Sequence, residues 1–143
     1  MGRPLAILKL ALILCVFLLC AGCGATKSTQ TQPSPLVGTW TGSITGDYPA
    51  SVQLVVTSSG SNTFVVATFS TSTCNLPLVQ AGATLSGNSV FFGDQVLGVN
   101  GYQMNGTLSA DGRTISGGVT YPYPCEENGS FPTETGTFNI TKN

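Results

Sequence analysis

YQMNGTLSADGRTISGGVTY, residues 102–121, carries the fold in its spacing. Tyr102, Met104, Gly106 and Leu108 share one parity, and Ile115, Gly117, Val119 and Tyr121 share another. The residues between them are Gln103, Asn105 and Thr107 in the first run, then Thr114, Ser116, Gly118 and Thr120 in the second. A period of two belongs to a strand, with one face turned to a core and the other to water. Ala110-Asp111-Gly112-Arg113, between the runs, is far too short for a parallel crossover, which needs about a dozen residues or more. Asp111-Gly112 predicts a tight hairpin, because glycine accepts the positive φ that such a turn demands.

The same alternation extends in both directions. Trp40, Gly42 and Ile44 fall on one face, as do Val52, Leu54 and Val56, and near the end Phe138 and Ile140 alternate with Thr137, Asn139 and Thr141. Further strands are expected around Thr63 to Ser70, Leu76 to Ser86 and Asn88 to Leu97, where Pro77 and the pair Phe91-Phe92 blur the phase. Ser58-Ser59-Gly60-Ser61-Asn62 and Ser86-Gly87-Asn88-Ser89 read as short turns. Tyr121-Pro122-Tyr123-Pro124 reads as loop surface, since prolines withdraw donors from a ladder. No stretch after residue 22 keeps a helical period over three turns. The expectation is an all-β domain over residues 36–143, a single antiparallel up-and-down β-barrel of about eight strands, closed so that no edge is left bare.

The N-terminus obeys different rules. Arg3 and Lys9 make a positive start, Leu10 to Leu19 is apolar, and Ala21-Gly22 place small residues before Cys23. These are the parts of an export signal, and the strongly apolar stretch is shorter than the roughly 20 residues that cross a bilayer. Leu19-Cys20-Ala21-Gly22-Cys23 resembles the box of bacterial lipoproteins, with Cys20 where that family has leucine or another apolar residue. The resemblance implies cleavage after residue 22, palmitate and related lipid on Cys23, and a place at the outer membrane or cell surface. Ordinary cleavage that leaves Cys23 as a free thiol is the other reading. Residues 23–35, rich in Thr, Gln and Ser and ending in Pro33-Ser34-Pro35, form the expected flexible tether.

Charge and cysteine usage narrow the function. After residue 22 three cations, Lys27, Arg113 and Lys142, face six carboxylates, Asp47, Asp94, Asp111, Glu126, Glu127 and Glu134, a net of −3. No basic stripe exists to neutralise phosphates, so a nucleic-acid partner is not expected. With Cys15 and Cys20 in the signal and Cys23 lipidated, Cys74 and Cys125 remain, and an oxidising compartment predicts a bridge between them. The chain has no histidine and its mature part no Cys-x-x-Cys pair, so zinc lacks ligands. Three scattered aspartates are no calcium loop, and neither metal nor cofactor is expected. Glu126-Glu127 are adjacent, point opposite ways on a strand and cannot flank one glycosidic bond. Without histidine the serines lack their ordinary base. A non-enzymatic protein is expected.

Gly38-Thr39-Trp40 is similar to the Gly-x-Trp opening of lipocalins and the avidin family, in which the tryptophan plugs one end of an up-and-down barrel. In lipocalins a late arginine packs across that tryptophan, and the residues on offer here are Lys142 and Arg113. Gly106-Thr107-Leu108 and Gly136-Thr137-Phe138 repeat the phrase, a pattern that resembles small bacterial β-barrel lipoproteins. The resemblance implies a small hydrophobic ligand, with Trp40, Tyr102, Tyr121 and Tyr123 as aromatic bodies with polar handles. Core filling by the same side chains is the competing reading. The alternative function is an envelope protein partner or an inhibited enzyme, held by the loop from Tyr121 to Thr135 that Cys125 pins.

Overall fold

The computed structural model describes residues 34–77, 80–94, 101–125 and 130–143. Cys23, the expected signal and most of the tether lie outside them, as do Glu126 and Glu127. The described chain forms nine strands: β1 (Gly38–Thr45), β2 (Ala50–Ser59), β3 (Asn62–Ser70), β4 (Asn75–Pro77), β5 (Ala81–Ser86), β6 (Ser89–Gly93), β7 (Gln103–Leu108), β8 (Thr114–Pro122) and β9 (Thr133–Lys142). Every pairing is antiparallel. The spatial order is β2-β1-β9-β8-β7-β6-β5-β3-β4, and β2 also pairs with β3. The sheet therefore closes on itself.

Nine strands occupy eight positions, because β4 and β5 both lie along the same edge of β3. β4 meets its far end at Phe69↔Leu76, and β5 its near end at Phe64↔Gly82. The expected run from Leu76 to Ser86 thus becomes two strands sharing one place in the ring. The up-and-down barrel of eight strands that the alternation predicts is the fold observed.

Parity decides what faces inward. Val52, Leu54 and Val56 on β2, Val65, Ala67 and Phe69 on β3, and Phe138 and Ile140 on β9 are all buried in one core cluster. The ambiguous pair resolves with Phe92 inside and Phe91 half-buried. Asp111-Gly112 makes the expected turn, with φ of 70° at Gly112, and the Asp111 carboxylate accepts from the Ser109 hydroxyl and the Arg113 amide. The reading of Tyr121-Pro122-Tyr123-Pro124 as loop surface is corrected. Tyr121 and Pro122 are the last residues of β8, opposite Glu134 and Thr133, and both are buried, as is Pro124. A proline at the end of a strand forfeits little of the ladder.

One row across the interior shows how the lumen is filled. Val90, Gly106, Gly117, Phe138 and Ile44 are successive cross-strand neighbours on β6, β7, β8, β9 and β1. The two glycines make room for their neighbours: a Cβ on Gly106 would stand 2.8 Å from Phe138 Cζ, and one on Gly117 would stand 2.0 Å from the Asn105 carbonyl oxygen.

The two ends of the barrel differ. At one end the connections are short, at residues 60–61, 87–88 and 109–113. There Leu36, which is buried, caps the core, and Trp40 Nε1 donates to the Leu36 carbonyl at 2.7 Å. Lys142 lies opposite Trp40 in the β1–β9 ladder. Its Nζ sits 5.4 Å from the centre of the Trp40 ring and donates to the Pro35 carbonyl at 2.8 Å. Lysine here crosses the tryptophan as the late arginine of lipocalins does. The other end carries the connections at 46–49, 71–74, 94–102 and 123–132, of which the last two are the longest between described strands.

Gly117→Ala is expected to destabilise the domain by about 1–3 kcal/mol, since the added methyl must displace backbone. Lys142→Ala removes the cation over Trp40 and is expected to cost about 1 kcal/mol, with Lys142→Arg close to the parent. Urea midpoints of the three variants measure both effects.

Candidate functional site

At the loop end the core finishes in aromatics. Phe69 packs edge-on against Tyr102 with ring centres 5.5 Å apart and tilts against Tyr121 at 5.0 Å. The Tyr121 hydroxyl donates to the Tyr48 carbonyl, which ties the β1–β2 loop down onto β8. Tyr48 itself is 43 % exposed and meets Tyr123 edge-on at 5.3 Å. Burial pushes the Tyr121 phenol up to about 12, helped by the nearby Glu134 carboxylate and by Tyr123. It raises Tyr102 well beyond the usual tyrosine range, with Asp94 adding to the effect. The Tyr102 hydroxyl is buried and has no hydrogen-bond partner among the described residues.

Cys74 and Cys125 form a disulfide across this end, with Cα atoms 5.4 Å apart. The bridge joins the β3–β4 turn to the β8–β9 loop. Thr71 shapes the turn, its hydroxyl accepting from the Cys74 amide at 3.1 Å and its own amide donating to the Cys74 carbonyl at 2.8 Å. On the far side of the loop the Tyr123 amide donates to the Pro132 carbonyl at 2.8 Å. The segment expected as a docking element, Tyr121 to Thr135, therefore has strand at both ends and a pinned loop at 123–132.

Of the four aromatics expected to hold a ligand, three thus gather at the loop end and Trp40 stands apart. Trp40 plugs the short-turn end. Tyr102 and Tyr121 lie in the core beneath the loops, and half-buried Tyr123 packs on that core's rim. Their inward rings contribute to a continuous packed interior, and none of the four lines either of the clefts described next.

The larger cleft, of about 550 Å³, opens between β3 and β5. Thr63, Ala83 and Leu85 line it from the inward parity, and Phe64 and Thr84 from the outward one, so it reaches into the wall itself. Ser34 and Pro35 stand at its rim, and among the described residues no charged side chain lines it. Its origin is a divergence of strands, since β3 and β5 are laddered at two positions only, Phe64↔Gly82 and Val65↔Ala81. A second cleft, of about 370 Å³, runs over Ser43, Thr45, Ser116, Thr137 and Asn139 on the wall of β1, β9 and β8. Periodicity flags these residues as strand but gives no sign that two particular strands part. The single trace in the sequence is the unusually small run Ala81-Gly82-Ala83, which supplies little side chain to hold the gap shut.

No protein-family model matches the chain, and a search of curated proteins finds no significant relative. The fold and the slot carry the functional argument.

Raised phenol pKa values favour the neutral form in the folded state. For Tyr121, stability linked to that form is complete below the ordinary value of 10.0 and is lost as pH rises through about 12. Urea midpoints are expected to fall between pH 9.5 and pH 12 (both about) and to fall less in Tyr121→Phe. Tyr102→Phe deletes a buried hydroxyl that has no partner among the described residues, and it is expected to stabilise the domain by about 1 kcal/mol or more in the same assay.

Proposed function

We propose that this chain is an extracytoplasmic, lipid-anchored and non-enzymatic binding protein, whose ligand is a small uncharged molecule with an apolar part held in the slot between β3 and β5. The observation that carries the reading is the slot's size and lining. About 550 Å³ falls within the range of small-molecule sites, which are mostly apolar with a few placed polar groups. Phe64 and Leu85 supply apolar contact, and Ser61, Asn62, Thr63 and Thr84 supply donors and acceptors around it. A charged ligand would lose water there without meeting an opposite charge. The packed interior turns the hydrophobic-ligand expectation away from the barrel axis and toward this wall.

The anchoring half of the proposal rests on the export signal and the Gly22-Cys23 box. A second reading, docking of an envelope protein at the loop end, is favoured by one observation. Tyr48 is exposed, braced edge-on by Tyr123 and held beside a disulfide-pinned loop, which is how low-entropy aromatic anchors are built.

Native mass spectrometry of the protein purified from its own host is expected to find a retained small molecule. Leu85→Trp, which fills the slot, should lose it, and the pair Tyr48→Ala and Tyr123→Ala should keep it. An empty barrel that captures an envelope protein through the two tyrosines would favour the second reading instead. Growth on labelled palmitate should label the parent chain and leave Cys23→Ser unlabelled.

A further inference from the structure

Whatever enters the slot meets two bare strand edges. β3 continues to Asn62 along β2, and β5 continues to Ser86 along β6, yet the β3–β5 ladder stops at Phe64↔Gly82. Asn62 and Thr63 on one side, and Ala83 to Ser86 on the other, therefore have no ladder partner across the gap among the described residues. Such edges template a further strand, and proteins ordinarily blunt them with lysine, proline or a bulge. The residues at this gap are Asn, Thr, Ala, Thr, Leu and Ser. None of them blunts it.

Gly82 provides a second and independent observation. It sits in the slot directly opposite Phe64. Its φ is not among the positive ones, and a Cβ built on it would meet nothing nearer than the Gly93 carbonyl oxygen at 3.7 Å, an ordinary contact. Neither conformation nor packing within the domain requires glycine here. A glycine inside a strand weakens it, and strand glycines often mark a bulge, a bend or a place where a ligand or another backbone approaches closely.

We infer that the small molecule accepted by the slot is a short, extended, uncharged peptide, added as a strand between β3 and β5, with one of its apolar side chains inward against Leu85 and a neighbouring one outward against Phe64. The inference rests on the slot reading above and names its ligand class. An extended peptide offers N–H and C=O groups at strand spacing to both edges at once, which a lipid tail cannot do. The uncharged lining among the described residues matches an uncharged peptide and discriminates against charged ones.

The test uses the full chain in dodecyl maltoside micelles, titrated calorimetrically with an acetylated, amidated heptapeptide that alternates threonine and valine around a central phenylalanine. Saturable binding is expected. The same peptide N-methylated at alternate residues should bind about tenfold more weakly or worse, because it loses ladder hydrogen bonds. Gly82→Val should weaken the parent peptide by about tenfold or more while leaving the thermal midpoint unchanged or higher, so lost binding cannot be blamed on lost folding. Equal binding of the N-methylated peptide, or equal binding by Gly82→Val, would overturn the inference. Binding that appears only after residues 26–32 are replaced by glycine and serine would identify the chain's own tether as the occupant and also overturn it. So would self-association that Gly82→Val abolishes, which would make a second copy the occupant. If the heptapeptide fails while a small molecule is retained by the parent and lost from Leu85→Trp, this inference falls and the slot reading stands. If neither binds, both fall.

Discussion

Pairing of the first strand with the last is the constraint on which the rest of this domain depends. Trp40 to Thr45 run beside Thr137 to Lys142, and without that ladder the meander would be an open sheet with two long bare edges. The closure is reinforced where it begins. Trp40 is held from within by the Leu36 carbonyl and covered by Lys142, which also reaches the chain at Pro35. Backbone pairing, a buried ring and a cation converge on one seam. The Asn143 amide adds a last contact there, donating to the Thr39 carbonyl at 3.0 Å.

The other end is organised by different means. It carries the two longest connections between described strands, and it is restrained by the Tyr121 hydroxyl on Tyr48 and by the Cys74–Cys125 bridge. The bridge spans 51 residues of sequence, and on the chain-entropy view a loop of that size contributes about 4 kcal/mol by restricting the unfolded chain. A short-turn end fixed by packing and a long-loop end fixed by covalent and hydrogen bonds leave the wall between β3 and β5 as the place where the barrel is least complete. The breach coincides with the point where the ring changes strands from β4 to β5 along β3.

Much of this is legible in the order of residues, and the reason is parity. Wherever one face of a strand must be buried, slipping by one position would expose every apolar side chain, so runs such as Val52-Leu54-Val56 and Ile115-Gly117-Val119 fix their own orientation. The Cys74–Cys125 pairing was legible because these are the two cysteines that follow residue 23. Two things were not. Tyr121 and Pro122 read as loop because proline lacks a donor, yet the final position of a strand barely needs one. The slot was hidden because it arises from the angle between two strands far enough apart in sequence, Asn62–Ser70 and Ala81–Ser86, that no local pattern records it. Aromatics with polar tips attract attention as ligand contacts, and here Trp40, Tyr102 and Tyr121 are spent on plugging and filling the barrel.

The seam between β1 and β9 also sets an order of events. Strand β9 is laddered on both sides, to β8 and to β1, and it supplies Phe138 and Ile140 to the core. Until β9 is in place, the ring has a missing stave and its interior stays wet. Closure of the ring is therefore governed by contacts of long sequence separation, and a chain that lacks β9 leaves the core open along the whole of that seam.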